Sequence, residues 1–211
     1  AVVVWPGVPL ALPVFDNVRA RGVLLMGELE LAARLIQAPI LAVTGTNGKS
    51  TATSLLGEMW KEAGMNVVVA GNIGNALCGE IDRAAGARYA VVEVSSFQLE
   101  GTLTFKPAVA CILNVTPDHL DRYPDFASYA EAKALIFRNQ GPEDSAVLNA
   151  DDPVAAPDAG RRPRKRDPER DARSTGAIRS GGAALDTAER QQLQRHRRCR
   201  GHHVLPWQRC P

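Results

Sequence analysis

The sequence predicts an α/β nucleotide-binding core, a mostly parallel sheet with helices on both faces. Three observations predict it. Apolar segments of strand length alternate with helical patterns as far as about residue 150. Tyr89-Ala-Val-Val-Glu-Val94 and Val109-Ala-Cys-Ile-Leu113 are apolar almost throughout, the pattern of strands covered on both faces. The glycine-rich turn Thr44-Gly-Thr-Asn-Gly-Lys-Ser-Thr51 joins an apolar run to a helical pattern.

Taken in order, Val2-Val-Val-Trp5 reads as a strand ending at the Pro6-Gly7 turn, and Val14 to Ala20 as a helix. Val23-Leu-Leu-Met26 is a short strand, and Glu28 to Ile36 a helix. Pro39-Ile-Leu-Ala-Val43 is a buried strand that enters the glycine-rich turn. The helix from Ser50 to Ala63 carries Leu55, Leu56 and Met59 at spacings that put them on one face. Asn66-Val-Val-Val-Ala70 is a strand, followed by the turn Gly71-Asn-Ile-Gly74. The two apolar strands named above come next, then an amphipathic helix from Phe126 to Phe137 and a last strand, Ala146-Val-Leu148. Glu93, Asn114 and Asn149 fall at strand carboxyl ends, where such sheets bind ligands.

The turn has the sequence form of a phosphate cradle. Gly45 and Gly48 let backbone N–H groups of the Thr46-Asn47 turn wrap an anion, and the new helix points its positive dipole end there. Lys49 is placed to neutralise β/γ-phosphate charge, and a hydroxyl at Ser50 or Thr51 to ligate Mg²⁺. The common pattern has a glycine where this chain has Val43, so the loop is a shorter variant. A chance Gly-Lys-Ser in a surface turn is the competing reading; it leaves the flanking strand and helix unexplained.

The net charge of +2 conceals two unlike parts. Through Pro153 there are 11 Lys and Arg against 17 Asp and Glu; beyond it, 14 against 6. The segment 154–211 has one aromatic residue, Trp207, and no sustained period. It is expected to be disordered, since it cannot bury enough apolar surface to offset its ordering entropy. An abrupt switch to Arg, Pro, Ala and Gly is also what an out-of-frame reading of GC-rich DNA produces. An arginine-rich tail binds nucleic acid non-specifically, but no aromatics interleave to stack on bases. Cys199, His202, His203 and Cys210 match no common zinc spacing. Cys78 and Cys111 are isolated, as expected for reduced thiols of a cytoplasmic protein. No apolar run is long enough to span a membrane. The chain begins at Ala1 within a strand and without an initiator methionine, the form expected of a fragment.

Other residues carry chemistry. Glu93 stands where a Mg²⁺ ligand belongs in a P-loop fold, against the alternative of an exposed strand-end carboxylate. Asn114-Val-Thr-Pro-Asp-His-Leu-Asp-Arg122 follows the next strand, and His119 lies there beside Asp118 and Asp121. A metal or phosphate contact and a structural histidine are both open for it. Lys133, on the following helix, reads from sequence alone as a solvated face residue.

Five segments in order resemble the Mur ligases, the ATP-dependent amide-forming enzymes of peptidoglycan precursor synthesis. They are the phosphate loop, Gly71-Asn-Ile-Gly74, Glu93-Val-Ser-Ser-Phe-Gln-Leu-Glu100, Asn114 to Arg122, and Leu148-Asn-Ala-Asp-Asp-Pro153. Lys-Ser-Thr ending the loop, and Phe-Gln-Leu after Glu-Val-Ser-Ser, favour the branch that adds D-glutamate to UDP-N-acetylmuramoyl-L-alanine. The resemblance implies three regions. Residues 1–37 are the end of a Rossmann-like uridine-nucleotide-binding domain, 38–153 an incomplete P-loop-type ATPase domain, and 154–211 the basic tail.

Position by position, it implies that Gly45 to Thr51 cradle ATP and that Lys49 holds the phosphates. Ser50 and Glu93 bind Mg²⁺, and His119 binds a second metal near the γ-phosphate. Lys133 matches a position carbamylated by CO₂, which converts an ammonium into a carboxylate-like metal ligand. Asn72, Ser95 and Gln98 match contacts to the UDP-muramoyl substrate. Pro6-Gly7 ends what is a Ser-Pro-Gly loop in the family, with Trp5 in the serine's place. The implied reaction passes through an acyl phosphate, made from the substrate carboxylate and ATP and then attacked by the D-glutamate amine. Two alternatives stand beside it: another amide ligase of the family, and a non-catalytic nucleotide- or nucleic-acid-binding fragment.

Overall fold

Strands Val2–Val4 (β1) and Leu25–Gly27 (β2) pair in parallel, with Val3 opposite Met26. The computed structural model describes residues 1–156 and 176–178. A parallel pair needs a crossover. Here it includes a 3₁₀ turn at Pro13–Phe15 that runs into helix Asp16–Ala20 (α1). The helix expected from Val14 is thus split, its start tightened by Pro13 at the first position. Helix Glu28–Leu35 (α2) leaves β2 directly and buries Leu29 and Ala32.

The second sheet takes its strands in an order that creates a switch point. They are Ile40–Thr44 (β3), Val67–Gly71 (β4), Tyr89–Glu93 (β5), Val109–Ile112 (β6), Ser145–Asn149 (β7) and Gly176–Ile178 (β8). Their order is β4-β5-β3-β6-β7-β8, and every pairing is parallel. The chain leaves β3 toward one edge, returns through β5, and then crosses to β6 on the far side. The loops after β3 and β6 therefore sit side by side at the carboxyl ends of the strands, the crevice where open α/β sheets hold ligands. Helices Lys49–Glu62 (α3), Ile81–Ala84 (α4), Ser96–Glu100 (α5) and Phe126–Ala134 (α6) make the connections.

The strands are buried as their apolar runs predict: all five residues of β3, and Ala90, Val91 and Val92 of β5, are in the core. The inner face of α3 differs from the expectation. Leu55 is 45% exposed, and the buried positions are Thr53, Gly57 and Trp60. The reason is close packing on β4: a Cβ at Gly57 would lie 2.3 Å from Val69 Cγ2. A glycine thus marks the buried face; of the predicted stripe Leu55 faces out, while Leu56 still packs against Leu41, Trp60, Val67 and Val91.

Most of 157–211 lies outside the described residues, and with it Cys199, His202, His203, Cys210 and Trp207. Strand β8 corrects the expectation of no regular element in the tail: it pairs with β7, Leu148 opposite Ala177. Among the described residues no helix is long and apolar enough to cross a membrane.

Candidate functional site

The glycine-rich turn closes over the end of β3 and is held by the loop after β6. Gly48 has φ +80°, a left-handed conformation that glycine adopts without strain, and it starts α3. The first bond of that helix runs from Ala52 N–H to the Gly48 carbonyl at 2.9 Å. The amides of Lys49, Ser50 and Thr51 precede it, and no side chain caps them. This is the electropositive end of a 14-residue helix. Asn114 fixes the turn: its Oδ1 accepts from Thr46 N–H at 3.1 Å and from Asn47 N–H at 2.8 Å, while its Nδ2 donates to the Asn47 carbonyl at 3.0 Å. Thr46 Oγ1 donates to the Thr116 carbonyl at 3.1 Å and accepts from Thr116 N–H at 3.0 Å.

Two lysines bond to carbonyls of this loop. Lys49 Nζ donates back to the Thr46 carbonyl at 3.0 Å. Lys133 Nζ, from α6, donates to the Gly45 carbonyl at 2.8 Å and lies 4.5 Å from the centroid of the Tyr129 ring. The reading of Lys133 as a solvated face residue is wrong: it is 2% exposed. Its helix turns this face onto the loop, so the side chain spans core rather than solvent. Burial lowers its pKa to about 8, helped by the charge of Lys49 and opposed by that of Asp118.

Glu93 closes β5, 1% exposed, between the ends of β4 and β3. Its Oε1 accepts from Asn72 Nδ2 at 3.0 Å, but Oε2 is buried with no partner. A carboxylate oxygen withheld from both water and donors fits a cation ligand. Among the described residues no three His, Cys, Asp or Glu side chains cluster as a metal site. A divalent ion here would therefore draw on hydroxyl, water or phosphate oxygens as well. Gly71 makes room for this corner: it has φ +109°, and a Cβ there would lie 2.2 Å from the Glu93 carbonyl oxygen.

His119 has φ +53°, the one non-glycine residue with positive φ among those described. A histidine in that conformation is uncommon and needs surrounding structure to hold it. Its ring sits 5.0 Å from Phe97 and 6.0 Å from Tyr129, and Nε2 lies 3.6 Å from Asp118 Oδ2. The side chain remains about half exposed.

Ser95 and Gln98 hold each other. They form a capping box on α5, with Gln98 N–H to Ser95 Oγ at 3.2 Å and Ser95 N–H to Gln98 Oε1 at 2.9 Å. Gln98 also lines a small cavity with Trp5, Gly27, Glu28, Phe97 and Gly101, between the N-terminal strands and α5.

The structure therefore gathers Gly45 to Thr51, Asn114 and Lys133 around one loop, and pairs Glu93 with Asn72 beside it. Ser95 and Gln98 stand on the next helix. Sequence reasoning missed three supports. Asn114 reads from the sequence as a strand-end residue that opens a family segment, with no sign of its hold on the turn. Tyr129 touches both Lys133 and, at 3.3 Å, Thr46 Oγ1. Asp152 accepts from Val115 N–H at 2.7 Å and from the amides of Val154 and Ala155 at 2.9 Å. The paired Asp-Asp-Pro153 after the last strand was the available signal for it.

Comparison with known proteins gives a consistent result. Residues 43–205 match the Mur ligase middle domain. UDP-N-acetylmuramoylalanine–D-glutamate ligase of Pelotomaculum thermopropionicum is 56% identical over 156 residues, covering 74% of this chain and 34% of that protein. The enzyme of the same description from Alkaliphilus oremlandii is 53% identical over 151 residues, covering 72% and 33%. The chain spans about a third of the length of these curated relatives. In fold it is similar to the UDP-N-acetylmuramate:L-alanyl-gamma-D-glutamyl-meso-diaminopimelate ligase of Neisseria meningitides, with TM-score 0.53 and 18% identity over 74% of this chain and 53% of that one. MurF from Acinetobacter baumannii gives TM-score 0.50 at 22% identity, covering 74% and 33%.

Proposed function

The chain belongs to the Mur ligase family, and on that premise we propose that it forms the ATP-binding part of a ligase that adds D-glutamate to UDP-N-acetylmuramoyl-L-alanine. The carrying observation is the phosphate loop, with bare helix amides on one side and two lysines on its carbonyls. The relatives named above supply the choice of D-glutamate. In this reading residues 1–37 belong to the uridine-nucleotide part and 38–153 to a P-loop-type ATPase part. The reaction takes place in the cytoplasm.

The amides of Gly48 to Thr51 and the Lys49 ammonium take the triphosphate, and Lys49 leaves the Thr46 carbonyl to do so. This removes the repulsion that would otherwise keep the substrate carboxylate from the γ-phosphorus. The carboxylate oxygen bonds to the γ-phosphorus as the bond to the β,γ-bridging oxygen breaks, giving an acyl phosphate and ADP. The D-glutamate amine then bonds to the acyl carbon, phosphate leaves, and the amine gives up a proton. Mg²⁺, when bound, supplies charge neutralisation between the phosphates and the carboxylate. Glu93, Ser50, His119 and a carbamylated Lys133 would hold it. The carbamate forms when the neutral Lys133 amine adds to CO₂ and releases a proton. Asn72, Ser95 and Gln98 bind and orient the UDP-muramoyl substrate.

The experiment is an ATP-dependent phosphate-release assay on the protein that carries this segment, with UDP-N-acetylmuramoyl-L-alanine and one candidate amino acid at a time. Release with D-glutamate but not with L-lysine or meso-diaminopimelate is expected. Release with another amino acid instead would assign the segment to a different branch of the family.

A further inference from the structure

Helix α2 enters the larger sheet region through buried carboxylates. Glu30 is 0% exposed, and its side chain collects donors from a distant loop. Oε2 accepts from the amides of Leu103 at 2.8 Å, Thr104 at 3.0 Å and Phe105 at 3.0 Å. Oε1 accepts from Thr104 Oγ1 at 2.6 Å and from Arg34 Nε at 2.7 Å. A fully buried carboxylate is costly unless its lone pairs are filled, and here they are. Two residues earlier, at the start of the helix, Glu28 Oε1 accepts from Cys78 N–H at 2.6 Å.

The consequence lies at the other end of the same corner. Gly27, which ends β2 and precedes α2, donates its amide to the Gly101 carbonyl at 2.8 Å. The two backbones are too close for any side chain: a Cβ on Gly101 would lie 2.9 Å from Gly27 Cα. Gly27, Glu28, Gln98 and Gly101 form one side of the small cavity. The Gly27–Gly101 approach brings two glycines together through one hydrogen bond, so it needs an anchor elsewhere to persist.

We propose that Glu30 is a positioning residue: its grip on the 103–105 loop fixes the β2–α2 corner, and with it the Gly27–Gly101 wall of the cavity against which Gln98 binds substrate. The substrate part rests on the functional reading above; the fastening of the corner does not. Glu30 touches neither cavity nor nucleotide loop, so it acts through Gly27. Glutamine is the informative replacement, because it keeps the shape but turns an amide NH₂ toward a row of N–H donors.

The test follows amide hydrogen exchange in this chain together with binding of UDP-N-acetylmuramoyl-L-alanine. In Glu30→Gln, exchange at Leu103, Thr104, Phe105 and, remotely, Gly27 is expected to rise about tenfold or more, the scale of losing hydrogen bonds to a buried charge. Probe affinity falls about tenfold by the same reasoning, while binding of an ATP analogue stays within about twofold. Thr104→Val removes one exposed-side donor without threatening the fold and gives a smaller change in the same direction; Glu30→Asp recovers part of the loss. Acceleration at 103–105 with Gly27 unchanged would overturn the proposal, since Glu30 would then serve only its own loop. So would unchanged probe affinity when Gly27 has loosened. If the wild-type chain fails to bind the probe, the functional reading falls, and exchange at Gly27 still decides whether Glu30 positions that wall.

Discussion

Lys133 Nζ donates to the carbonyl of Gly45 at 2.8 Å, linking two residues 88 positions apart in the chain. The first glycine of the glycine-rich turn and a helix lysine thus form one unit. The amine is also held with a pKa near 8, chiefly by burial. Close to that pH about half the side chains are neutral, the form that adds CO₂, against well under a hundredth for an ordinary lysine. Labelled bicarbonate should give a carbamate carbon signal at pH 8 that fades toward pH 6.5 as the amine protonates. Lys133→Met should lack it at every pH. In an active ligase, Lys133→Ala should be partly rescued by small carboxylic acids, and no response to any of them would count against the carbamate.

The same shift has a stability consequence with a definite sign. The folded pKa of Lys133 lies below its unfolded value, so the unfolded chain binds more protons between about pH 8 and 10. Its contribution therefore costs stability below pH 8 and improves as pH rises through that window. Lys133→Met should be at least as stable as wild type at pH 7 in denaturant melts, with a gain on the order of 1–3 kcal/mol. The advantage should shrink toward pH 10. A large loss at pH 7 would mean that the bond to Gly45 outweighs the cost of burying the amine.

Glu30 should act in the opposite pH range. Burial alone would raise its pKa, but the hydrogen bonds from Thr104, Leu103 and Arg34 outweigh this and lower it to about 2. Its stabilising contribution is complete above the ordinary glutamate pKa and is lost as pH falls toward 2. The stability gap between wild type and Glu30→Gln should be about 2–3 kcal/mol at pH 6 and should narrow at pH 3. A gap that does not change with pH would show that the carboxylate is not held as a charge.

Asn114 should matter to the nucleotide more than to the fold. Asn114→Ala frees both the amide and the carbonyl of Asn47, while Thr46 N–H keeps its 2.9 Å bond to the backbone carbonyl of residue 114, and ATP affinity should fall about tenfold, the cost of one to two hydrogen bonds. The core strands do not depend on it, so the melting temperature should drop by only about 2–4 °C. Calorimetric titration and thermal melts on the same samples separate the two effects.

The sheet and the glycine-rich turn between β3 and α3 were legible because their signals are local. Continuous apolar runs marked β3, β5 and β6, and a strand–glycine turn–helix marked the loop. Lys133 was not, because a lysine at one position of a helix carries no sign of what packs over it; only the family resemblance singled it out. Nothing local marks Glu30 as buried, because the loop amides that hold its carboxylate lie more than seventy residues away. Leu55 shows the same limit from the apolar side. Hydrophobic spacing put it inward, whereas the close approach of Gly57 to Val69 decides the face of α3. The backbone conformation of His119 likewise left no trace in its neighbours.

Calorimetric titration of the chain with MgATP, run on wild type and Lys49→Ala side by side, tests the role of Gly45 to Thr51. Saturable binding by the wild type is expected, with a loss well above about tenfold in the variant, the scale of removing a charge-assisted phosphate contact. Absence of binding in the wild type, or equal binding by both, would contradict the assignment of Gly45 to Thr51 as the ATP cradle.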